Sequence, residues 1–150
     1  MDSLRRHRHA GVCQDQMKKM IPNRGLHTIP GFDVCERTRE LAARSWQVFI
    51  LPSSIKDTKS FFDGIRAVVP LDPPVLSDDN WDALSDSLWG GLDRLDAEKI
   101  AIVWPGSAQM ANAQPEAFGI ARSILSSLTN SLADPDATLG NEKQVLVVLA

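Results

Sequence analysis

Residues 99–104 read KIAIVW, a short run in which every residue after the lysine is apolar. A half-exposed strand alternates polar and apolar residues, whereas a continuous apolar run is typical of a strand covered on both faces. The same character is found in QVLVVLA (144–150) and, less strictly, in SWQVFIL (45–51). Such strands usually lie parallel to one another and are joined by helices. The sequence therefore predicts a small parallel sheet built from three buried strands.

Helical patterns occupy the segments between these strands. KDTKSFFDGIRAVV (56–69) and QPEAFGIARSILSSLTNSL (114–132) place their apolar residues on one helical face, and DDNWDALSDSLWGGL (78–92) lies between them. The stretch PLDPPVL (70–76) separates the first two helices, because proline removes a backbone donor and clashes with the preceding turn. The order β-α-α-β-α-β predicts an α/β fold, with a three-stranded parallel sheet packed against three to four helices.

The charge of the chain changes sign near residue 45. Residues 1–44 hold nine Lys/Arg against five Asp/Glu, whereas residues 45–150 hold seven against fourteen. The first 34 residues lack a sustained apolar period, which predicts a disordered or loosely attached segment. RTRELAARSW (37–46) suits either a short helix or a linker. We therefore predict a basic, disordered tail or linker over residues 1–44 and a folded domain over residues 45–150.

Two clusters in the basic segment are candidates for ligand binding: Arg5, Arg6 and Arg8, and a metal-ligating set of His7, His9 and Cys13. We favour a solvated tail over nucleic-acid binding for the first, and the spacing of the second matches no strong zinc pattern. The two cysteines are too few for a disulfide framework, which favours a reducing cytoplasm. No stretch approaches the roughly 18–20 apolar residues of a membrane span. We expect no cofactor, no metal, no nucleic acid and no membrane contact.

The helix predicted over residues 78–92 is amphipathic, and its polar side carries one sign of charge. Spacing at 100° per residue puts an apolar stripe toward the core and a set of acids on the flank (Trp81, Leu84, Leu88 and Leu92; Asp79, Asp82, Asp86 and Asp93). Asn80 or Ser77 is the predicted N-cap. From residue 72 to residue 98 the chain holds eight acidic residues and one basic residue. A one-sign surface repels itself, and its usual use is to attract a positively charged partner.

Three functions compete for this acidic helix. The Asp78–Asp86 carboxylates are candidates for binding a hard cation in a metal-dependent enzyme or a metal-binding domain, but they lack the spacing of a calcium loop. Paired carboxylates also serve acid–base catalysis, yet residues 45–150 contain no histidine and no cysteine. We favour the third function, a protein-binding module with a basic target, and we predict that the chain is not an enzyme.

The segment NWDALSDSLWG (80–90) resembles the core motif of the barstar family, the intracellular inhibitors of secreted bacterial ribonucleases. That motif is Asn, a hydrophobic residue, Asp-Ala-Leu, any residue, then Asp and a second Leu, and this sequence contains it. Trp104, at the end of KIAIVW, also falls where the family has a tryptophan. The resemblance covers roughly residues 46–150. It implies a three-stranded parallel sheet with flanking helices, in which the acidic helix and the loop before it plug the ribonuclease active site.

The resemblance also implies a set of partner-binding residues, with Asp82 and Asp86 at the family's two inhibitory aspartates. The full predicted set is Asp78, Asp79, Asn80, Asp82, Ser85, Asp86 and Trp89. The implied partner is a small basic bacterial ribonuclease, of the guanyl-preferring type, bound 1:1 by an inhibitor that is a monomer when free. A barstar-like immunity protein for a toxin that is not a ribonuclease is the alternative.

The sequence departs from the family pattern at three positions. Ser85 stands where the family often has tryptophan, and Asp78 stands where it often has glycine. A third acidic contact of the family falls near Ser127, where this chain has no acid. Trp89 is the candidate replacement for the missing aromatic contact, although core packing is an equally good explanation of it.

Overall fold

A four-stranded parallel sheet lies at the centre of the computed structural model, which describes residues 22–150. The strand order is β1-β4-β3-β2, and the strands are β1 Gly25–Thr28, β2 Gln47–Ile50, β3 Lys99–Trp104 and β4 Gln144–Leu149. The parallel α/β architecture predicted from the apolar runs is confirmed, whereas the predicted number of three strands is wrong. The candidate nucleic-acid and metal ligands at residues 5–13 lie outside the described residues.

Five helices connect and flank the described strands: α1 Val34–Ala43, α2 Thr58–Val68, α3 Trp81–Asp93, α4 Ala108–Ala113 and α5 Pro115–Ser131. The prediction of three to four helices therefore falls short. Helices α2, α3 and α5 match the three predicted ones, α1 lies in the stretch predicted as a short helix or linker, and α4 was not predicted. None of the helices in residues 22–150 combines the length and the apolar character needed to cross a bilayer.

Each face of the sheet has its own core. On one face, alternate residues of β3 and β4 pack against α2, α3 and α5, and Ile100, Ile102 and Trp104 are fully buried there. On the other face, Ala101, Leu146 and Val148 pack against Leu41 and Trp46. Burial on both faces explains why β3 and β4 read as continuous apolar runs.

The second face is covered by residues that the sequence assigned to a disordered tail. Strand β1 pairs with β4 over residues 25–28, and Leu41 of α1 is only 3% exposed. The expected disorder of residues 1–34 is therefore wrong for β1, which has no apolar run of its own and is defined by its pairing with β4. The independent folding of residues 45–150 remains a prediction.

Strand β2 differs from its prediction as a buried strand. It lies at an edge of the sheet, and Ile50 is 42% exposed. The buried apolar residues of this stretch are those that flank the strand, Trp46 and Leu51, which are 8% and 1% exposed. An apolar run predicts burial on both faces but does not distinguish an edge position from a central one.

Two adjacent glycines hold the proline-rich loop against α3. We call residues 70–80 the approach loop, because they lead into that helix. A Cβ atom at Gly91 would lie 2.0 Å from the carbonyl oxygen of Pro70, and one at Gly90 would lie 2.3 Å from that of Asp72. The amide of Asp72 also donates a 3.0 Å hydrogen bond to the carbonyl oxygen of Ser87. The loop backbone therefore packs directly on the helix backbone, at a distance that only glycine permits.

Replacing Gly91 by alanine should destabilise the fold by about 3 kcal/mol or more, because the loop backbone must move away from the new methyl group. The matched control is Gly119→Ala in α5, where an added Cβ has no atom within 4 Å. That change should raise the free energy of unfolding by up to about 1 kcal/mol, since alanine is the better helix former. Urea unfolding of both variants tests the packing, and a Gly91→Ala variant as stable as the wild type would contradict it.

A chain that begins at Ala43 lacks β1 and most of α1. Against a chain of residues 22–150, it should be destabilised, because it exposes the edge of β4 and loses Leu41, whose burial contributes about 1.5–3 kcal/mol. We expect the melting temperature to fall by about 5–10 °C. Thermal unfolding followed by circular dichroism measures the difference. Equal melting temperatures would show instead that residues 45–150 form an independent domain, as the sequence pattern suggested.

Candidate functional site

Helix α3 is anchored by the apolar stripe that its sequence predicts. Leu84, Leu88 and Leu92 are all fully buried, with 0% of their surface exposed. Trp81, in the first turn, is half-buried, and its ring lies 5.8 Å from that of Phe61 and 5.0 Å from that of Phe62, measured between centroids. The opposite side of the helix is therefore presented on a support that cannot rotate without opening the core.

The start of α3 is fixed by two side-chain hydrogen bonds. The side-chain oxygen of Asn80 accepts a 3.1 Å bond from the amide of Ala83, which makes Asn80 the N-cap. The amide of Asn80 in turn donates a 3.1 Å bond to the hydroxyl of Ser77. The sequence analysis gave these two residues as alternatives for the N-cap. In the structure Asn80 is the N-cap, and Ser77 accepts a hydrogen bond from the Asn80 amide.

Three aspartates form what we call the acidic surface: Asp79, Asp82 and Asp86. All three are exposed, and none of them forms an ion pair with another residue of the described range, 22–150. Asp79 and Asp82 lie near the helix N-terminus, where the macrodipole stabilises negative charge. Asp86 lies in mid-helix, outside the range of that effect, and repels Asp82 at i,i+4.

Asp78, by contrast, is bonded within the chain. Its carboxylate accepts a hydrogen bond from Nη2 of Arg66, in the last turn of α2. The same guanidinium donates from Nη1 to the carbonyl oxygens of Val75 (3.3 Å) and Ser77 (2.9 Å), and from Nη2 to Asp63 (2.6 Å). Asp78 and the approach loop are thus tied to α2.

The charges around Arg66 reinforce one another. The hydrogen bond that Arg66 donates to Asp78, followed by the one that it donates to Asp63, raises the pKa of Arg66 above its ordinary value. Lys59, which lies one turn before Asp63 in α2, donates a 3.0 Å hydrogen bond to the Asp63 carboxylate. This bond, followed by that of Arg66, lowers the pKa of the Asp63 carboxyl. Lys59 and Arg66 offset the charges of Asp63 and Asp78, whereas the three aspartates of the acidic surface have no ion-pair partner among residues 22–150.

The remaining predicted site residues lie beside the acidic surface. Ser85 is half-buried and lies on the helix between the acidic surface and the apolar stripe. Trp89 is also half-buried and packs against the main core, so part of its ring surface stays accessible. Leu76, which the sequence analysis did not select, projects from the approach loop with 94% of its surface exposed.

Arg66 and Leu76 are the two residues of this region that sequence reasoning missed. The partners of Arg66 lie up to 12 residues away across a proline-rich loop, so no periodic pattern links them. Leu76 is a single apolar residue in a loop, which is common on protein surfaces and gives no signal by itself. The glycine pair at residues 90–91 was visible in the sequence, but its reason, the close approach of the loop, was not.

The acidic residues do not gather into a metal site. Within residues 22–150, no group of three or more His, Cys, Asp or Glu side chains is arranged to hold a metal ion. A polar, open groove of about 720 Å³ lies where the strands begin, lined by residues such as Asn23, Glu98 and Gln144. None of the predicted site residues lines that groove.

Comparison with known proteins identifies the family to which the chain belongs. A family model described as Barstar (barnase inhibitor) matches residues 46–149. No curated protein and no solved structure gives a significant match to the chain. The matched range begins just before β2, ends with β4 and includes the approach loop, α3 and the acidic surface. Since the match extends over most of the chain, the chain belongs to the barstar family.

Proposed function

We propose that this chain is a cytoplasmic inhibitor of a small basic bacterial ribonuclease of the guanyl-preferring type. It binds the enzyme 1:1, as a monomer when free, and places α3 and the approach loop over the active site. The observation that carries the proposal is the acidic surface. Its three exposed carboxylates have no ion pair with another described residue, and they lie on a helix whose other face buries Leu84, Leu88 and Leu92 completely.

The chemistry of the target explains why carboxylates suit this role. An enzyme that cleaves RNA binds phosphate groups, and its cleft is therefore lined with cationic donors. Carboxylates on a rigid helix occupy such phosphate positions and accept charge-assisted hydrogen bonds, which are roughly twice as strong as neutral ones. Because the helix is anchored before the encounter, little conformational entropy is lost on binding.

Each predicted site residue has a distinct part in this proposal. The acidic surface carries the charge, while Asn80 fixes the start of the helix. The exposed parts of Ser85 and Trp89, together with Leu76, supply contacts around that charge. Asp78 acts inside the chain, because its carboxylate is already bonded to Arg66.

A barstar-like immunity protein for a toxin that is not a ribonuclease is the second candidate. The departures Asp78 and Ser85 lie within the proposed contact region, and they favour a partner whose cleft differs from that of the ribonucleases that the family pattern fits. The two candidates share the acidic surface and differ in the partner. Inhibition of RNA cleavage by purified barnase, titrated with this chain, supports the first, whereas failure to bind any guanyl-preferring ribonuclease would favour the second.

Replacing Asp86 by alanine should affect binding and stability in opposite directions. The free energy of unfolding should rise by a few tenths of a kcal/mol, because the repulsion from Asp82 at i,i+4 is removed. Binding to the ribonuclease should weaken by about 2–5 kcal/mol, because cationic groups of the cleft are left buried without a partner. That range draws partly on barnase–barstar complexes, so it is carried over from the family. Inhibition titrations and urea unfolding measure the two effects.

The matched control is Asp96→Ala, which removes an exposed acid beyond the end of α3. It should change the dissociation rate little and slow association slightly, and the slowing should be smaller at high salt. Asp82→Ala should resemble Asp86→Ala with a smaller loss of affinity. An Asp86→Ala variant that binds as tightly as the wild type, or that unfolds, would contradict the proposed role of the acidic surface.

A further inference from the structure

We propose that Arg66 is a positioning residue for partner binding: its guanidinium fixes the approach loop in the conformation that the partner meets. This inference rests on the proposed function. It concerns a cation outside the predicted contact set, located in α2 rather than in the acidic helix.

The approach loop has little backbone bonding of its own. Within the described residues, no backbone–backbone hydrogen bond involves residues 73–79. Pro73 and Pro74 have no amide hydrogen to donate. The carbonyl oxygens of Val75 and Ser77 are instead bonded by Nη1 of Arg66, at 3.3 Å and 2.9 Å. One side chain thus provides the backbone anchorage that secondary structure provides elsewhere.

Arg66 is itself held firmly. It lies in the last turn of α2, whose residues Phe61, Phe62 and Ile65 are fully buried. The helix begins at a capping box formed by Asp57 and Ser60. Asp63, one turn before Arg66, accepts a 2.6 Å hydrogen bond from Nη2 and orients the guanidinium. The anchorage of the loop is therefore continuous with the core.

The contacts of Arg66 determine what the loop presents. Leu76 stands between the two bonded carbonyls and projects outward, 94% exposed. Asp78 follows, bonded to Nη2, and the next residue is Asp79 of the acidic surface. Fixing residues 75–78 thus sets the direction of Leu76 and the entry of the chain into α3.

Electrostatics alone would disfavour an arginine here. The acidic surface binds cations of the partner, and Arg66 lies close enough to bond the neighbouring Asp78, so its charge opposes the approach of a basic enzyme. Its presence is explained by geometry, because a planar guanidinium donates in several fixed directions at once. Positioning and charge therefore have opposite effects on binding, and kinetics separates them.

The test uses Arg66→Lys, which keeps the charge but loses the fork of donors. With barnase as the probe, we expect the association rate to stay within about twofold of the wild type and the dissociation rate to rise about tenfold or more. In the free protein, the NMR order parameters of the amides of residues 75–79 should fall from about 0.85 toward 0.6 or below. If Arg66 only stabilised the fold, Arg66→Lys would not change the dissociation rate and the order parameters of residues 75–79 while leaving the rest of the protein unchanged.

The matched control is Lys59→Ala. Lys59 is an exposed cation of the same helix that also bonds Asp63, and among residues 22–150 it forms no hydrogen bond or ion pair with the approach loop. It should leave the dissociation rate and the loop order parameters at wild-type values. Wild-type values of the loop order parameters in Arg66→Lys would overturn the proposal, and so would a uniform loss of order throughout the protein. If wild-type protein does not bind barnase, the proposed function fails for that enzyme, while the order parameters still decide the loop contacts.

Discussion

The burial of one face of α3 is the interaction on which the rest of this structure depends. Like charges one turn apart on a helix repel by a few tenths of a kcal/mol. Full burial of a leucine side chain contributes about 1.5–3 kcal/mol, and three of them, Leu84, Leu88 and Leu92, lie along the inner face. Even after the discount for a partly compact unfolded state, burial far outweighs the repulsion. The fold can therefore carry a surface of one charge at a small cost in stability.

The same helix also needs a defined start, and the structure supplies it through the approach loop. The backbone of Pro70 and Asp72 rests on Gly90 and Gly91, at a distance that excludes any side chain there. Further along, the loop is bonded to Arg66, and Asn80 then caps the helix. The loop is thus joined to its surroundings at two places, by close backbone packing on Gly90 and Gly91 and by the hydrogen bonds of Arg66.

Much of the fold follows from local sequence pattern, and the exceptions share a cause. Strands β3 and β4 were predictable from their continuous apolar runs, and helices α2, α3 and α5 from the helical spacing of their apolar residues. Strand β1 was not, because GLHT carries one strongly apolar residue and depends on pairing with β4, more than 100 residues away. The edge position of β2 was hidden for the same reason, since neighbours in a sheet are set by topology rather than by composition.

The same distinction applies to the candidate site, whose local motif was predictable from the sequence and whose long-range contacts were not. The acids and the cap of α3 are visible as a motif within one helix, and the family model that includes them agrees with the resemblance read from the sequence. The role of Arg66 is not visible there, because it depends on carbonyl oxygens and a carboxylate 9 to 12 residues further on. A guanidinium that bonds backbone carbonyls leaves no pattern in the sequence of its partners, since every residue has a carbonyl.

One departure from the family pattern acquires a physical reason from this arrangement. The position of Asp78 is often glycine in the family, whereas here its carboxylate bonds Arg66 and ties the loop to α2. A side chain at this position adds bulk where a partner backbone would approach, and in exchange it fixes the loop that presents Leu76. Asp78 is bonded internally and position 127 is a serine, so the exposed acids that remain beside the start of α3 are those of the acidic surface. Under the proposed function, this chain therefore recognises its partner with fewer carboxylates than the family pattern has, held beside a loop that Arg66 fixes. Such a surface selects for a cleft whose cations are clustered within about two helical turns.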